Sequence, residues 1–187
     1  MRALPWGALV LLVLGPLAVA AASPLNATRQ AVHVAGSLAG VAALGLLLVQ
    51  PALASGAMPG LSGSRWRGAH RAFGAALAIL VAAHVGGLWL TSPPDVVDAL
   101  LLRSPTPFAA WGVMAMWAVA ATALLAWRRR RLRPRTWRRV HLGLACVVAL
   151  GTAVHALLIV GAMGPVTKAA LCVAVVGATG ALVRRRL

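Results

Sequence analysis

The sequence predicts an all-α, polytopic membrane bundle, and three observations carry that prediction. Of its 187 residues 61% are apolar, with a mean hydropathy of +0.88, where an ordinary globular domain has about 45–50%. Charged residues make up 11%, against the roughly 25–35% that covers a soluble domain. Apolar runs recur at close to the ~20 residues that cross ~30 Å of hydrocarbon. A soluble enzyme and a disordered chain are both excluded, because that much apolar surface cannot be left in water. One transmembrane domain over 1–187 is expected, without room for a soluble nucleotide-binding domain of normal size.

The runs lie at 3–22, 31–53, 69–90, 108–127, 140–160 and 166–183. Pro and Gly punctuate most of the breaks between them. None alternates polar with apolar, so strands are not expected. The first run begins after Met1-Arg2 and ends in AVAAAS, which also fits a secretory signal. It is longer than the usual h-region of 7–15 residues, so six spans are expected, and five if the first is cleaved. The second run contains Pro51 near its end. PPDVVDALL, between the third and fourth runs, reads as a short interfacial helix holding Asp95 and Asp98.

Charge sets the orientation. Of 18 basic residues, all but Arg29, Arg103 and Lys168 fall on one side of this arrangement. The positive-inside rule makes that side cytoplasmic and places both termini there, in the inner membrane. Trp66, Trp127 and Trp137 then mark inner helix ends, and Trp89 and Trp111 outer ones, as an aromatic belt should. The run from Arg128 to Arg139 is read as a cytoplasmic loop, with the lipid bilayer as its partner rather than nucleic acid.

The chemistry available is narrow. Asp95 and Asp98 are the only carboxylates. Cys146 and Cys172 sit in apolar runs with no CxxC, which removes Cys-ligated zinc, iron–sulfur clusters and c-type haem attachment. They read as small buried hydrophobes.

Histidine carries the signal. His70 and His84 lie fourteen residues apart on the third span, and His141 and His155 repeat that spacing on the fifth. Fourteen residues turn about 1400°, close to four full turns, and rise about 21 Å. Each pair therefore shares a helix face, with one member near each membrane surface. The two spans run in the same direction, so His70 is level with His141 and His84 with His155. Ionisable side chains within a span are functional by default, and neutral imidazole is a good axial ligand for haem iron. Between the ligands stand Gly74, Ala78, Val81, Ala145, Val148 and Thr152, slim enough to admit a flat macrocycle. Arg67 and Arg71 flank His70, and Arg138 and Arg139 precede His141; they suit the propionates of an inner haem. His33, near the outer end of the second span, is a candidate for an outer propionate, a proton or a quinone. Gly36 and Gly40 in GSLAG read as a helix-packing contact. Basic residues are close in sequence to the inner histidines only, so on charge alone an inner haem has the higher potential.

The segments RGAHRAFGAALAILVAAH from Arg67 and TWRRVHLGLACVVALGTAVH from Thr136 resemble the ferric-reductase-like transmembrane domain superfamily. That group includes the ferric reductases, the NADPH oxidases and the haem subunit of the periplasmic methionine sulfoxide reductase system. The resemblance covers about 29–181. It implies two b-type haems held between the third and fifth helices, with His70, His84, His141 and His155 as axial ligands. Members that use NAD(P)H carry a flavin- and nicotinamide-binding module; this chain is expected to work without one, and nothing indicates a flavin. The function expected is dihaem electron transfer across the inner membrane, from a flavoprotein or quinol to an outer acceptor, as the oxidoreductase's membrane subunit. The alternative is a transporter or assembly factor whose histidines bind a transition metal or protons.

Overall fold

The computed structural model describes residues 4–56, 60 and 64–186. Arg2 and Ala3 lie outside them. Seven α-helices follow one another: α1 (Leu4–Ala21), α2 (Ala31–Ala54), α3 (Ser64–Thr91), α4 (Pro93–Leu100), α5 (Pro107–Trp127), α6 (Pro134–Leu158) and α7 (Pro165–Arg184). Two 3-10 turns, Pro24–Asn26 and Arg129–Arg131, join α1 to α2 and α5 to α6. No strand occurs among the described residues. Five helices, α2, α3, α5, α6 and α7, are long and apolar enough to cross a membrane. The described apolar stretch of α1, Trp6–Ala21, falls short of the same length, so the expected six spans stand at five by that measure.

Proline sets the starts. α4, α5, α6 and α7 each carry Pro in their first positions, where its fixed φ is pre-organised and its missing N–H costs no helical bond. Pro51 does not end α2, which runs through it to Ala54. α1 is closed by Asn26, whose Nδ2 donates to the carbonyls of Ala20 (2.8 Å) and Ala21 (3.0 Å). α3 and α6 begin five and six residues before the apolar runs at 69 and 140 do. Their basic first turns are helix that leaves the hydrocarbon, not loop. The short helix expected at PPDVVDALL is α4, with the Ser92 hydroxyl donating to the Asp95 carboxylate.

The helices pair. α2 packs chiefly on α3, and α5 on α6, while α7 packs on α6 and α2. At the α2–α3 crossing a Cβ on Gly87 would lie 2.8 Å from Gly36 Cα, so only glycine permits the backbones to approach this closely. At the α5–α6 crossing Gly151 faces Ala115, a Cβ there meeting it at 3.2 Å. The core runs along the bundle axis through Leu44, Leu48, Leu77, Val148, Leu171 and Val175. Cys172 is buried against it and Cys146 is half-buried; both thiols are free. Ile79, Trp117, Leu150 and Val173 point outward, which in water would be a liability and in lipid is the expected surface. Arg186 donates to the Ala54 carbonyl at 3.0 Å, which puts the ends of α2 and α7 on the same side.

Candidate functional site

α3 and α6 bring the four histidines together as two pairs. The His70 and His141 ring centroids are 6.1 Å apart, and those of His84 and His155 6.4 Å. The two helices therefore run in parallel and face each other across these rings, and the equal fourteen-residue spacing makes two levels of one arrangement.

The outer pair is clamped from both flanks. His84 Nδ1 lies 2.8 Å from the Gly36 carbonyl oxygen of α2. His155 Nδ1 lies 2.8 Å from the Phe108 carbonyl oxygen of α5. A carbonyl only accepts, so Nδ1 carries the proton in both rings and Nε2 keeps its lone pair, as a metal-ligating imidazole requires. Glycine makes each clamp possible. A Cβ on Gly40 would sit 2.8 Å from the His84 ring, and one on Gly112 2.6 Å from that of His155. Gly36 thus packs helices as expected, whereas Gly40 makes room for an imidazole. Phe108 adds an edge contact to His155, with centroids 5.8 Å apart.

The inner pair is built differently. One end of the Gln50 amide lies 2.9 Å from His70 Nδ1 and 3.3 Å from the His70 carbonyl oxygen; the other end lies 3.0 Å from Gly74 N. His141 Nδ1 is buried without a hydrogen-bond partner, as is Trp137 Nε1. The Trp137 ring stacks on His141, 9° from parallel and 5.1 Å between centroids, and the Arg129 guanidinium lies 5.6 Å from the Trp137 ring.

A cavity of about 550 Å³ opens between His84 and His155, within the ~300–1,000 Å³ usual for a cofactor site. Val81, Leu44, Val119 and Met116 give it apolar walls; Arg29, His33 and Lys168 line its outer end. Arg29 Nη1 is 3.3 Å from His33 Nε2. Lys168 Nζ donates to the Ile159 carbonyl, just past the end of α6, at 2.6 Å. The chain near His84 and His155 holds no cation in sequence, but the folded cavity brings Arg29 and Lys168 to its lining. Arg67, Arg71, Arg138 and Arg139 are exposed at the inner end, with Arg67 over Trp66 at 5.6 Å. Asp95, in the first turn of the expected short helix α4, lines the outer cavity.

These residues fit haem. Each pair presents two facing imidazoles, 6.1 and 6.4 Å between ring centres, which would leave room for one metal ion between them. No cluster of three or more His, Cys, Asp or Glu side chains occurs among the described residues. Each pair thus offers two ligands where a bare zinc ion takes about four, so a metal held here would need a group that brings donors of its own, as haem would.

The family model for the ferric reductase like transmembrane component matches residues 39–152. The chain belongs to this family. The match runs from α2 into α6 and takes in Gly40, Gln50, His70, His84, Gly112 and His141; His155 stands three residues beyond it. No curated protein and no solved structure shows a significant match. Ferric reductase-like membrane components typically bind haem, and this one is a multi-pass helical member of the group. Gln50, Lys168 and the Phe108 carbonyl escaped sequence reasoning. Gln50 left one signal, a lone amide in an apolar run, which membrane burial makes costly without a purpose.

Proposed function

We propose that the chain is a dihaem b-type electron-transfer subunit of the inner membrane, a single domain over 1–187 with both termini cytoplasmic. His70 and His141 would hold the inner haem and His84 and His155 the outer. The observation that carries this reading is the pair of imidazole separations, 6.1 and 6.4 Å, at two levels about 21 Å apart along parallel helices. α1 serves as a sixth span unless it is removed as a signal.

Haem held there would supply a one-electron couple at each level. The residues of the chain do the rest. The Gly36 and Phe108 carbonyls fix the tautomer and plane of the outer ligands. Gly40 and Gly112 let the rings lie against α2 and α5. Arg29, Lys168 and His33 offset carboxylate charge at the outer end, and Arg67, Arg71, Arg138 and Arg139 do so at the inner end. The apolar walls keep water from the cavity. Electrons enter from a separate flavoprotein or quinol on the cytoplasmic side and leave to an outer acceptor, so the chain needs neither acid–base groups nor a nicotinamide domain. As a ferric-reductase-like component it is the membrane part of an oxidoreductase.

Pyridine haemochrome analysis of protein purified from haem-replete cells is expected to give two haem b per chain. A stable, colourless preparation overturns the proposal.

A further inference from the structure

The inner end of the bundle carries charge of one sign. Eight of the twelve residues from Arg128 to Arg139 are arginine, and all eight are exposed. Arg65, Arg67 and Arg71 of α3 are exposed beside them. The two acidic side chains of the protein, Asp95 and Asp98, both stand on α4, at the opposite end. Topology asks only for a bias between the two sides of a membrane, and this end far exceeds a bias. Part of the charge is also held in place. The Arg129 guanidinium lies 5.6 Å from the Trp137 ring centre, and Arg128 lies 5.7 Å from that of Trp127. A cation–π contact restrains a guanidinium without neutralising it.

Lipid headgroups ring a bundle, but Trp137 stands over the interior of this one. Its Nε1 is buried, and its ring stacks on His141 with centroids 5.1 Å apart. His141 in turn faces His70 between α6 and α3. The basic run therefore reaches over the inner histidine pair, and does not only circle the rim.

We propose that this face is the docking surface for a small, acidic, soluble electron-carrier protein, seated over Trp137. The inference rests on the dihaem reading above and chooses between its two donors. A quinol is neutral and gains nothing from eight guanidinium groups. An acidic protein gains twice, because complementary charge raises its encounter rate and fixes its orientation. Arg129 and Trp137 form the contact that leads from this surface to His141. Each encounter would pass one electron, the carrier being oxidised and the chain reduced by one.

The test uses an acidic flavodoxin as probe and the full chain in nanodiscs of phosphatidylcholine. Binding is read by anisotropy of labelled flavodoxin. One-to-one binding is expected at about 20 mM salt, weakening about 10-fold by about 200 mM as the charges are screened. Arg130→Gln with Arg133→Gln and Arg135→Gln is expected to cost about 10-fold in affinity, and Arg103→Gln, at the outer end, nothing. Zero-length carbodiimide cross-linking locates the site. Lys168 is the only lysine, so Arg135→Lys gives the docking face a single side-chain amine. A cross-link from position 135 to flavodoxin is expected, and none from position 103 in Arg103→Lys. Should the triple variant fail to fold, the salt dependence and the cross-link decide the matter. In anaerobic stopped flow, reduction by flavodoxin hydroquinone is expected to slow with salt, and reduction by the neutral duroquinol to be indifferent to it. No flavodoxin binding by the wild type overturns the inference, as does a folded triple variant that binds equally well, equal cross-linking at positions 103 and 135, or reduction by duroquinol alone. A thermal midpoint raised by phosphatidylglycerol in the wild type but not in the triple variant, with flavodoxin unbound, assigns the face to lipid and overturns it too. Binding and cross-linking are read without reference to haem, so their failure is distinct from a failed haemochrome count.

Discussion

The outer histidine pair is gripped by backbone carbonyls and glycines, whereas side chains take a share of the grip at the inner pair. His84 and His155 each donate to a carbonyl and lie against a glycine, so neither ring can turn without moving a helix. His70 depends on an amide and His141 on a stacked indole. Backbone grips tolerate almost no substitution beneath them, whereas side-chain grips can be exchanged. The same pairing of helices therefore holds its two histidine pairs by different means near the two surfaces.

The largest effects should come from breaking the rigid site. Gly112→Ala places a Cβ 2.6 Å from the His155 ring, and overpacking of this kind costs about 1–3 kcal/mol. Loss of the outer haem, with the inner one retained, is the expected outcome by haemochrome count and reduced-minus-oxidised spectra. Gly40→Ala should act likewise through His84, slightly less severely at 2.8 Å. Retention of both haems in each variant would show that the rings are not pinned there.

Gly87→Ala tests the scaffold rather than the site. Its Cβ would meet the Gly36 backbone at 2.8 Å, so α2 and α3 must separate, at a cost of about 1–3 kcal/mol. A lower thermal midpoint in detergent, with outer haem content falling alongside it, is expected. An unchanged midpoint would contradict the close crossing.

A smaller effect sharpens the electrostatic side of the contrast. Lys168→Met removes a cation from the outer cavity. At an effective dielectric of about 20, a unit charge across such a cavity is worth on the order of 1 kcal/mol. Positive charge favours the reduced haem, so the outer midpoint potential should fall in a redox titration while the inner one stays. Equal shifts of both, or none, would place Lys168 outside the outer haem's field. Arg71→Gln should produce the weakest change, confined to the inner haem, because that side chain is exposed and its field is screened by water.

Much of this was legible in the sequence. Apolar length places the spans because lipid leaves the backbone little choice but helix. The fourteen-residue histidine spacing survives folding because helical periodicity is fixed by the backbone. The starts of α3 and α6 were misplaced for a physical reason: hydropathy finds where a helix meets lipid, not where it begins, and Arg65, Arg67, Arg138 and Arg139 sit on helix beyond that edge. The grips themselves were hidden. A carbonyl at Phe108 has no side-chain signature, Gly40 looks like any packing glycine until His84 is seen against it, and Lys168 comes to the outer cavity from a helix that carries no histidine.

The most direct measurement is a spectroelectrochemical titration of the wild type beside His70→Ala and His84→Ala. The account predicts two one-electron components in the wild type, with each variant losing a different one and keeping the other. A single component in the wild type, abolished alike by either substitution, would contradict two stacked sites.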